Sequence, residues 1–144
     1  MIVYFDTSAL VPLLLAEPGT PTAQQLWDQA DRVASTRMVH AEARAALAQA
    51  HRLGRVTSSQ LRKLVAGLDD LYSQLDRIDV DDPLVVRAGE LAETHELRGY
   101  DAVHLAALER VAGEHTVLAS GDRDLCTAAS ALGFAVADTA RNDR

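Results

Sequence analysis

The stretch MIVYFDTS at residues 1–8 decides the fold of this chain. Residues 1–5 are all apolar or aromatic, which is typical of a short strand buried in a parallel sheet. The run stops abruptly at Asp6, and Ser8 then stands where a cap for the next helix is expected. Open parallel sheets bind their ligands at the carboxyl ends of the strands, so Asp6 is the first candidate for a functional side chain.

Strand-like and helix-like patterns alternate along the rest of the chain. Apolar runs predict further strands at 33–35, 78–80, 116–119 and 134–136. Helical spacing and capping residues predict helices at 8–17, 21–31 and 39–53, one capped by Ser58 or Ser59, one from a cap at Asp82 to 95, and two more at 98–111 and 125–132. This alternation favours one α/β domain with a short central parallel sheet flanked by helices. We place this domain at residues 1–138 and a short polar tail at 139–144.

Length, composition and cysteine content narrow the class of protein. A chain of 144 residues with 48% hydrophobic residues is one compact domain by length, and no Ser/Gly-rich linker divides it. The apolar start has no basic leader and is interrupted by Asp6, so we predict a cytoplasmic location. Cys126 is the single cysteine, which excludes an internal disulfide and a thiolate zinc cluster.

Four acids share one kind of position, at the end of a predicted strand or the start of a predicted helix: Asp6, Glu42, Asp101 and Asp122. Taken singly, each is also explained as a helix cap or as a first-turn acid that complements the helix dipole. Their common setting favours a shared metal site at one edge of the sheet. Oxygen ligands without a His/Cys cluster select Mg²⁺ or Mn²⁺ over Zn²⁺. Without the cation, at least one of the clustered carboxyl groups should have a raised pKa.

Four segments occur in an order that matches a known family. They are Asp6-Thr-Ser8, Glu42 in a helix after the second strand, Tyr100-Asp-Ala-Val-His104 and Ser120-Gly-Asp-Arg-Asp124. Over nearly the whole chain, their order and spacing resemble the PIN domain, and within it the small VapC-type toxin ribonucleases of toxin–antitoxin pairs. The resemblance implies a metal-dependent endoribonuclease, the toxin of a type II pair. It would hydrolyse phosphodiester bonds of tRNA or ribosomal RNA with metal-activated water.

The resemblance also implies roles for individual residues. The catalytic residues and ligands of Mg²⁺ or Mn²⁺ would be Asp6, Glu42, Asp101 and Asp122. Asp124 would be a fifth acid that either assists the metal ligands or only caps its helix. Ser8 and Ser120 match positions whose hydroxyls hydrogen-bond such acids, and losing either should weaken metal binding without abolishing it.

The implied partners are a cognate VapB-type antitoxin, the RNA substrate and a second copy of the chain in a homodimer. The net charge of −7 opposes phosphate binding, but 13 of the 14 basic residues are arginines. Arg98 and Arg44 are the candidate phosphate contacts, although a solvated surface arginine explains each equally well. His104 is expected to be a packing residue. The apolar stripe from Leu61 to Leu75 is expected to be mostly core.

Two other functions are compatible with parts of the pattern. Aspartyl-phosphate phosphatases and receiver domains also place an Asp after the first strand, but position 8 is Ser instead of a second acid. The sole lysine, Lys63, lies in the middle of a predicted helix, where it is not expected to support a phosphoryl group. The other alternative is a PIN-like module that binds RNA or protein without cleaving. The complete acid set argues against it, because clustered carboxylates repel one another.

Overall fold

Five parallel strands form one sheet in the computed structural model, which describes residues 1–113 and 115–141. Their bounds are Ile2–Phe5 (β1), Arg32–Thr36 (β2), Asp76–Ile78 (β3), Thr116–Ser120 (β4) and Ala135–Asp138 (β5). The order across the sheet is β3-β2-β1-β4-β5, and every neighbouring pair is parallel. The predicted α/β class with a central parallel sheet is confirmed.

Helices pack against this sheet and complete two core clusters. They are Thr7–Leu10 (α1), Thr20–Gln29 (α2), Val39–Arg52 (α3), Ser58–Gln74 (α4), Asp82–His95 (α5), Gly99–Val111 (α6) and Arg123–Ala131 (α7), with a 3₁₀ turn at Val11–Leu13. Helices α5, α6 and α7 contribute to the first cluster, which includes Leu84, Leu105 and Leu125. Helices α1, α3 and α4 contribute to the second cluster, which includes Leu47 and Leu68.

Strand β1 shows why residues 1–5 are continuously apolar. Val3 and Phe5 belong to the second cluster, whereas Tyr4 between them belongs to the first. Successive side chains of a strand point to opposite faces, so the two clusters lie on opposite faces of the sheet at β1. All three side chains are 0% exposed. A strand that is buried on both faces needs apolar residues at consecutive positions, as parallel sheets usually do.

The predicted helix over residues 8–17 is wrong. Helix α1 ends at Leu10, and the chain continues as the 3₁₀ turn. Pro12 lies inside this turn. Proline lacks the backbone N–H that an α-helix would use at this position, and its ring clashes with the preceding turn of an α-helix. The apolar residues that follow α1 therefore begin with a tighter 3₁₀ turn, and the α-helix does not continue through them.

Three predicted helix caps are wrong by one residue or two. Asp6, and not Ser8, caps α1, since its side chain accepts from the Ala9 amide. Thr57, and neither Ser58 nor Ser59, caps α4: its hydroxyl accepts from the Gln60 amide at 3.1 Å, and the Gln60 side chain accepts from the Thr57 amide at 2.8 Å. This reciprocal pair is a capping box. Asp81, and not Asp82, caps α5: its Oδ1 accepts a hydrogen bond from the Leu84 amide at 3.0 Å.

The strand order determines where a ligand can bind. The chain winds from β1 through β2 to β3 on one side, and then places β4 and β5 on the other side of β1. Phe5 pairs in register with Ala119, and the Asp6 amide donates to the Ala119 carbonyl at 3.2 Å. Asp6 therefore follows β1 directly beside the end of β4. Open parallel sheets have their ligand-binding crevice at such a reversal of strand order.

The apolar stripe of α4 is core, as predicted. Leu68 and Leu75 are buried, and the other stripe residues that pack against the second cluster are Leu61, Leu64, Leu71 and Tyr72. Within residues 1–113 and 115–141, no helix combines the length and the apolar character that crossing a membrane requires. The cytoplasmic location stays a prediction.

The segment after β5 packs back onto the domain at Gly19. Thr139, the first residue of the predicted tail, is buried. A Cβ atom at Gly19 would lie only 2.7 Å from the Thr139 carbonyl oxygen, so this close approach of two backbones requires glycine. Residues 142–144 of the predicted tail lie outside the described residues. The boundary between domain and tail at 138 and 139 stays a prediction.

Candidate active site

A cleft of about 920 Å³ opens at the carboxyl edge of the sheet, where β1 and β4 end. All four predicted acids line it, and each comes from a different part of the fold. Asp6 follows β1, Glu42 lies in the first turn of α3, Asp101 in the first turn of α6, and Asp122 caps α7. The strand order therefore brings together acids that are widely separated in the sequence.

Asp6 is buried, and hydrogen bonds engage both of its carboxylate oxygens. Its Oδ1 accepts from the Ala9 amide at 3.1 Å and from the Ser8 hydroxyl at 2.7 Å. Its Oδ2 accepts from the Ser120 hydroxyl at 2.7 Å. Asp6 therefore caps α1 and also contacts the two serines that the sequence assigned to its support.

Backbone amides determine the direction of these two serine hydrogen bonds. The Ser8 hydroxyl oxygen accepts from the Gly121 amide at 2.8 Å, and the Ser120 hydroxyl oxygen accepts from the Asp122 amide at 3.0 Å. Because an amide N–H can only donate, each hydroxyl keeps its own proton free for the Asp6 carboxylate. The turn after β4 thus orients Asp6 through both hydroxyls.

Two acids of the cleft have a raised pKa. Burial raises the pKa of Asp6, and the positive charge of a protonated His104, followed by the hydrogen bonds from Ser120 and Ser8, offsets part of that rise. Burial also raises the pKa of Asp101, and the negative charge of Asp122 raises it further. The prediction that at least one of the clustered acids has a raised pKa is confirmed. The cleft therefore favours an additional positive charge.

Arg98 provides one positive charge at the mouth of the cleft. Its Nε donates to Asp101 Oδ2 at 3.0 Å, and its Nη2 donates to Asp122 Oδ2 at 3.2 Å. The guanidinium carbon lies 4.7 Å from the centre of the Tyr100 ring. Its side chain is nevertheless 64% exposed. Arg98 therefore bridges two of the predicted metal ligands from a position that solvent reaches.

His104 contacts Glu42, the fourth acid of the cleft. Its Nε2 lies 2.8 Å from Glu42 Oε1, and its Nδ1 lies 2.8 Å from the Tyr4 hydroxyl. The His104 side chain is 2% exposed. Both ring nitrogens thus have polar partners, and the expectation that His104 only packs is wrong. The available sequence signal was its spacing of three residues from Asp101, which places the two side chains on one side of α6.

Two of the weaker predicted site residues lie outside the cleft. Asp124 is exposed in the first turn of α7 and does not line the cleft. Arg44 is exposed on α3, where it borders a shallow hollow between α3 and α4. Arg52, at the end of α3, does line the cleft. The roles of Asp124 and Arg44 stay predictions.

The donor atoms of the cleft fit a hard divalent cation, although they do not form a ready cage. In the described part of the chain, no group of three His, Cys, Asp or Glu side chains is arranged to hold a metal ion. Each acid is instead engaged by another side chain of the protein: Asp6 by Ser8 and Ser120, Glu42 by His104, and Asp101 and Asp122 by Arg98. Four carboxylates, two with raised pKa values, are the donors that Mg²⁺ or Mn²⁺ prefers.

Comparisons with known proteins found a matching family and similar relatives. A model of the PIN domain family matches residues 3–131. The Mycobacterium tuberculosis protein named ribonuclease VapC45 is 41% identical over 136 residues, which cover 94% of each chain.

Solved structures show the same fold. VapC20 of M. tuberculosis, described as a sarcin-ricin loop cleaving toxin, superimposes with a TM-score of 0.69 at 21% identity, over 92% of this chain and 95% of that chain. A chain of a toxin–antitoxin complex from Klebsiella pneumoniae superimposes with a TM-score of 0.59 at 19% identity, over 85% of this chain and 88% of that chain. At such low identities, the likeness to both structures establishes the fold alone.

Proposed function

This chain belongs to the PIN domain family, and on that premise we propose that it is the ribonuclease toxin of a type II toxin–antitoxin pair. The reaction is the metal-dependent hydrolysis of phosphodiester bonds within cellular RNA. The observation that carries the proposal is the convergence of four acids on one cleft. The ribonuclease name of a relative with 41% identity supports the same reaction.

The proposed ligands of Mg²⁺ or Mn²⁺ are Asp6, Glu42, Asp101 and Asp122. When bound, such an ion lowers the pKa of water and stabilises the charge on the leaving oxygen of a phosphodiester. Ser8 and Ser120 keep Asp6 oriented, because both hydroxyls donate to its carboxylate. The acids and their hydrogen-bond partners therefore supply a preorganised, negatively charged pocket.

The substrate we propose is a structured RNA of the tRNA or ribosomal class. Arg98 and Arg52 both line the cleft, so they are the side chains best placed to contact phosphates next to the scissile bond. Arg44 lies outside the cleft, beside the hollow between α3 and α4, so only an RNA that extends beyond the cleft would reach it. Because the net charge is −7, these local arginines must supply the attraction for RNA.

A VapB-type antitoxin is the proposed protein partner. The Klebsiella toxin–antitoxin complex, whose chain shares this fold, supports a partner of this kind. We also propose a homodimer, for which α5 offers apolar surface: the exposed fractions of Val85 and Val86 are 49% and 64%. Light scattering on the toxin alone and together with its cognate antitoxin tests both assemblies.

Incubation of the antitoxin-free protein with total cellular RNA tests the proposed function. We expect new 5′ ends in Mg²⁺ or Mn²⁺, and we expect chelator or the Asp6→Asn substitution to remove them. The mapped ends would identify the RNA target. If no cleavage occurs with either metal, the catalytic proposal fails, and a binding module that does not cleave becomes the better description.

Arg98→Gln should raise the affinity for Mn²⁺ by about 2- to 30-fold, the range expected for losing two ion pairs of about 0.2 to 1 kcal/mol each. Arg98 and a divalent ion would bind the same two carboxylates, Asp101 and Asp122, so removing the guanidinium removes a competitor. Isothermal titration with Mn²⁺ measures this change. Arg52→Gln is the matched control, because it removes an equal charge from the same cleft. Equal effects of the two substitutions would mean that competition at the two carboxylates plays no part.

A further inference from the structure

We propose that Tyr4 and His104 are positioning residues for Glu42, through a directed chain of two hydrogen bonds. In this chain, the Tyr4 hydroxyl donates to Nδ1 of His104, and the Nε2–H of His104 donates to the Glu42 carboxylate. The significance of Glu42 as a metal ligand rests on the proposed function, whereas the chain itself does not depend on it. This assignment goes beyond the four acids because it explains what holds one of them in place.

Both contacts are short; the one between Tyr4 and His104 is buried, and the one between His104 and Glu42 is partly buried. The Tyr4 hydroxyl lies 2.8 Å from His104 Nδ1, and His104 Nε2 lies 2.8 Å from Glu42 Oε1. Tyr4 and His104 are both almost completely inaccessible to solvent. Thr7 Oγ1 lies 3.5 Å from the same Nε2, which is too long to compete with Glu42. Water therefore does not replace either bond readily, and each polar atom depends on its protein partner.

The chemistry of the three groups determines where the protons lie. A carboxylate only accepts hydrogen bonds, so the nitrogen that faces Glu42 must carry a hydrogen. When the imidazole is neutral, it has one N–H, and this leaves Nδ1 as an acceptor. Tyr4 then has to donate its hydroxyl proton, and burial, which raises the pKa of Tyr4, keeps that proton in place. Tyr4 thus selects the tautomer of His104 that can bind Glu42.

The chain of bonds links the first core cluster, on the side of Tyr4 and α6, to the second cluster, on the side of α3. Tyr4 lies on the central strand β1, His104 on α6 beside the first cluster, and Glu42 on α3 beside the second cluster. These clusters lie on opposite faces of the sheet. Packing within one cluster alone therefore does not join Glu42 to Asp101, which shares α6 with His104. The hydrogen bond between His104 and Glu42 is a direct side-chain contact between the two helices at the carboxyl edge of the sheet.

Long-range ¹H–¹⁵N spectra of the histidine ring test the proton assignment without any RNA or metal. In the neutral ring, we expect the hydrogen of His104 to lie on Nε2. A neutral ring that carries its hydrogen on Nδ1 would overturn the assignment. Tyr4→Phe should shift His104 away from the single Nε2–H tautomer, and an unchanged tautomer would show that Tyr4 does not select it. Far-ultraviolet circular dichroism confirms that the variant is folded.

A pair of substitutions at His104 tests the positioning role through Mn²⁺ affinity. His104→Leu removes the donor and should weaken Mn²⁺ binding by about 10- to 100-fold, the usual cost of losing a group that orients a ligand. His104→Gln keeps an N–H donor near the position of Nε2, and should retain affinity within about 3-fold of the wild type. A purely structural role predicts equal losses in both variants, which would overturn the proposal. If the wild type bound no Mn²⁺, the metal site of the proposed function would fail, while the spectra would still decide the tautomer.

Discussion

Asp6→Asn should lower the rate of RNA cleavage by more than about 100-fold. Loss of a group that merely supports a metal ligand commonly costs about 10- to 100-fold, so loss of a central ligand charge should cost more. Asp6 is the acid that sits deepest in the cleft, and two hydroxyls and one backbone amide direct their hydrogens to it. The carboxamide has nearly the same volume but lacks the negative charge.

The same substitution should leave the protein at least as stable as the wild type. Burial raises the pKa of Asp6, which means that folding disfavours its ionised form. A neutral carboxamide avoids that cost, and its oxygen can still accept from the Ala9 amide and cap α1. Activity and stability thus make opposite demands at this position, as is common at functional sites.

Single-turnover cleavage and thermal unfolding without metal measure the two effects. Asp70→Asn is a suitable control, because Asp70 is an exposed acid on α4 and does not line the cleft. The control should leave both quantities unchanged. Cleavage by Asp6→Asn at the wild-type rate would remove Asp6 from the catalytic set, and a large fall in its melting temperature would contradict the explanation from burial.

Saturating Mn²⁺ should raise the melting temperature of the wild type by roughly 8 °C. Binding at 100 times the dissociation constant adds about 2.7 kcal/mol to the free energy of unfolding. In a domain of this size, each kcal/mol corresponds to about 3 °C. The rise should be larger at about pH 7.5 than at about pH 5, because the ion binds the ionised acids.

Without metal, the stability of the protein should change with pH in the opposite direction and fall as pH rises. The pKa values of Asp6 and Asp101 are raised in the folded protein above the value of about 3.9 that an unfolded Asp has. Above that value, the folded state binds more protons than the unfolded state, so the stability contributed by these groups falls as pH rises through their raised pKa values. Asp31 and Asp81 have lowered pKa values, from the amino terminus and Arg110. The stability that they contribute is lost only at still lower pH.

Differential scanning fluorimetry across this pH range, with Mn²⁺ and with chelator, measures both trends. We expect the melting temperature in chelator to decrease with pH, and the difference between the two conditions to increase. Asp6→Asn should flatten the curve in chelator and remove most of the rise in Mn²⁺. A stabilisation by Mn²⁺ that is equal in the variant and the wild type would indicate binding elsewhere on the protein.

Much of the fold could be predicted because its signals are local. Four strands were found from short apolar runs, and the parallel class followed from the alternation of strands and helices. The strand predicted at 78–80 was misplaced: β3 is Asp76–Ile78, which begins with two charged residues that no apolar pattern marks. The errors were local as well. Pro12 stopped the α-helix within an apolar stretch that continues beyond it. Thr57 caps α4 because Gln60 completes a capping box with it. Adjacent residues with nearly equal capping ability compete at such boundaries.

The sequence by itself determined which side chains are available for chemistry and where each lies along its own element. Asp6 at a strand end and Asp101 in a first turn are local placements, set by hydrophobic periodicity and capping preferences. Only the tertiary structure decided which of these groups touch. The bonds from His104 to Tyr4 and Glu42, and the bridge from Arg98 to Asp122, join residues that are distant in the chain. They depend on the order of the strands and on the packing of helices across both faces of the sheet, which no local pattern encodes.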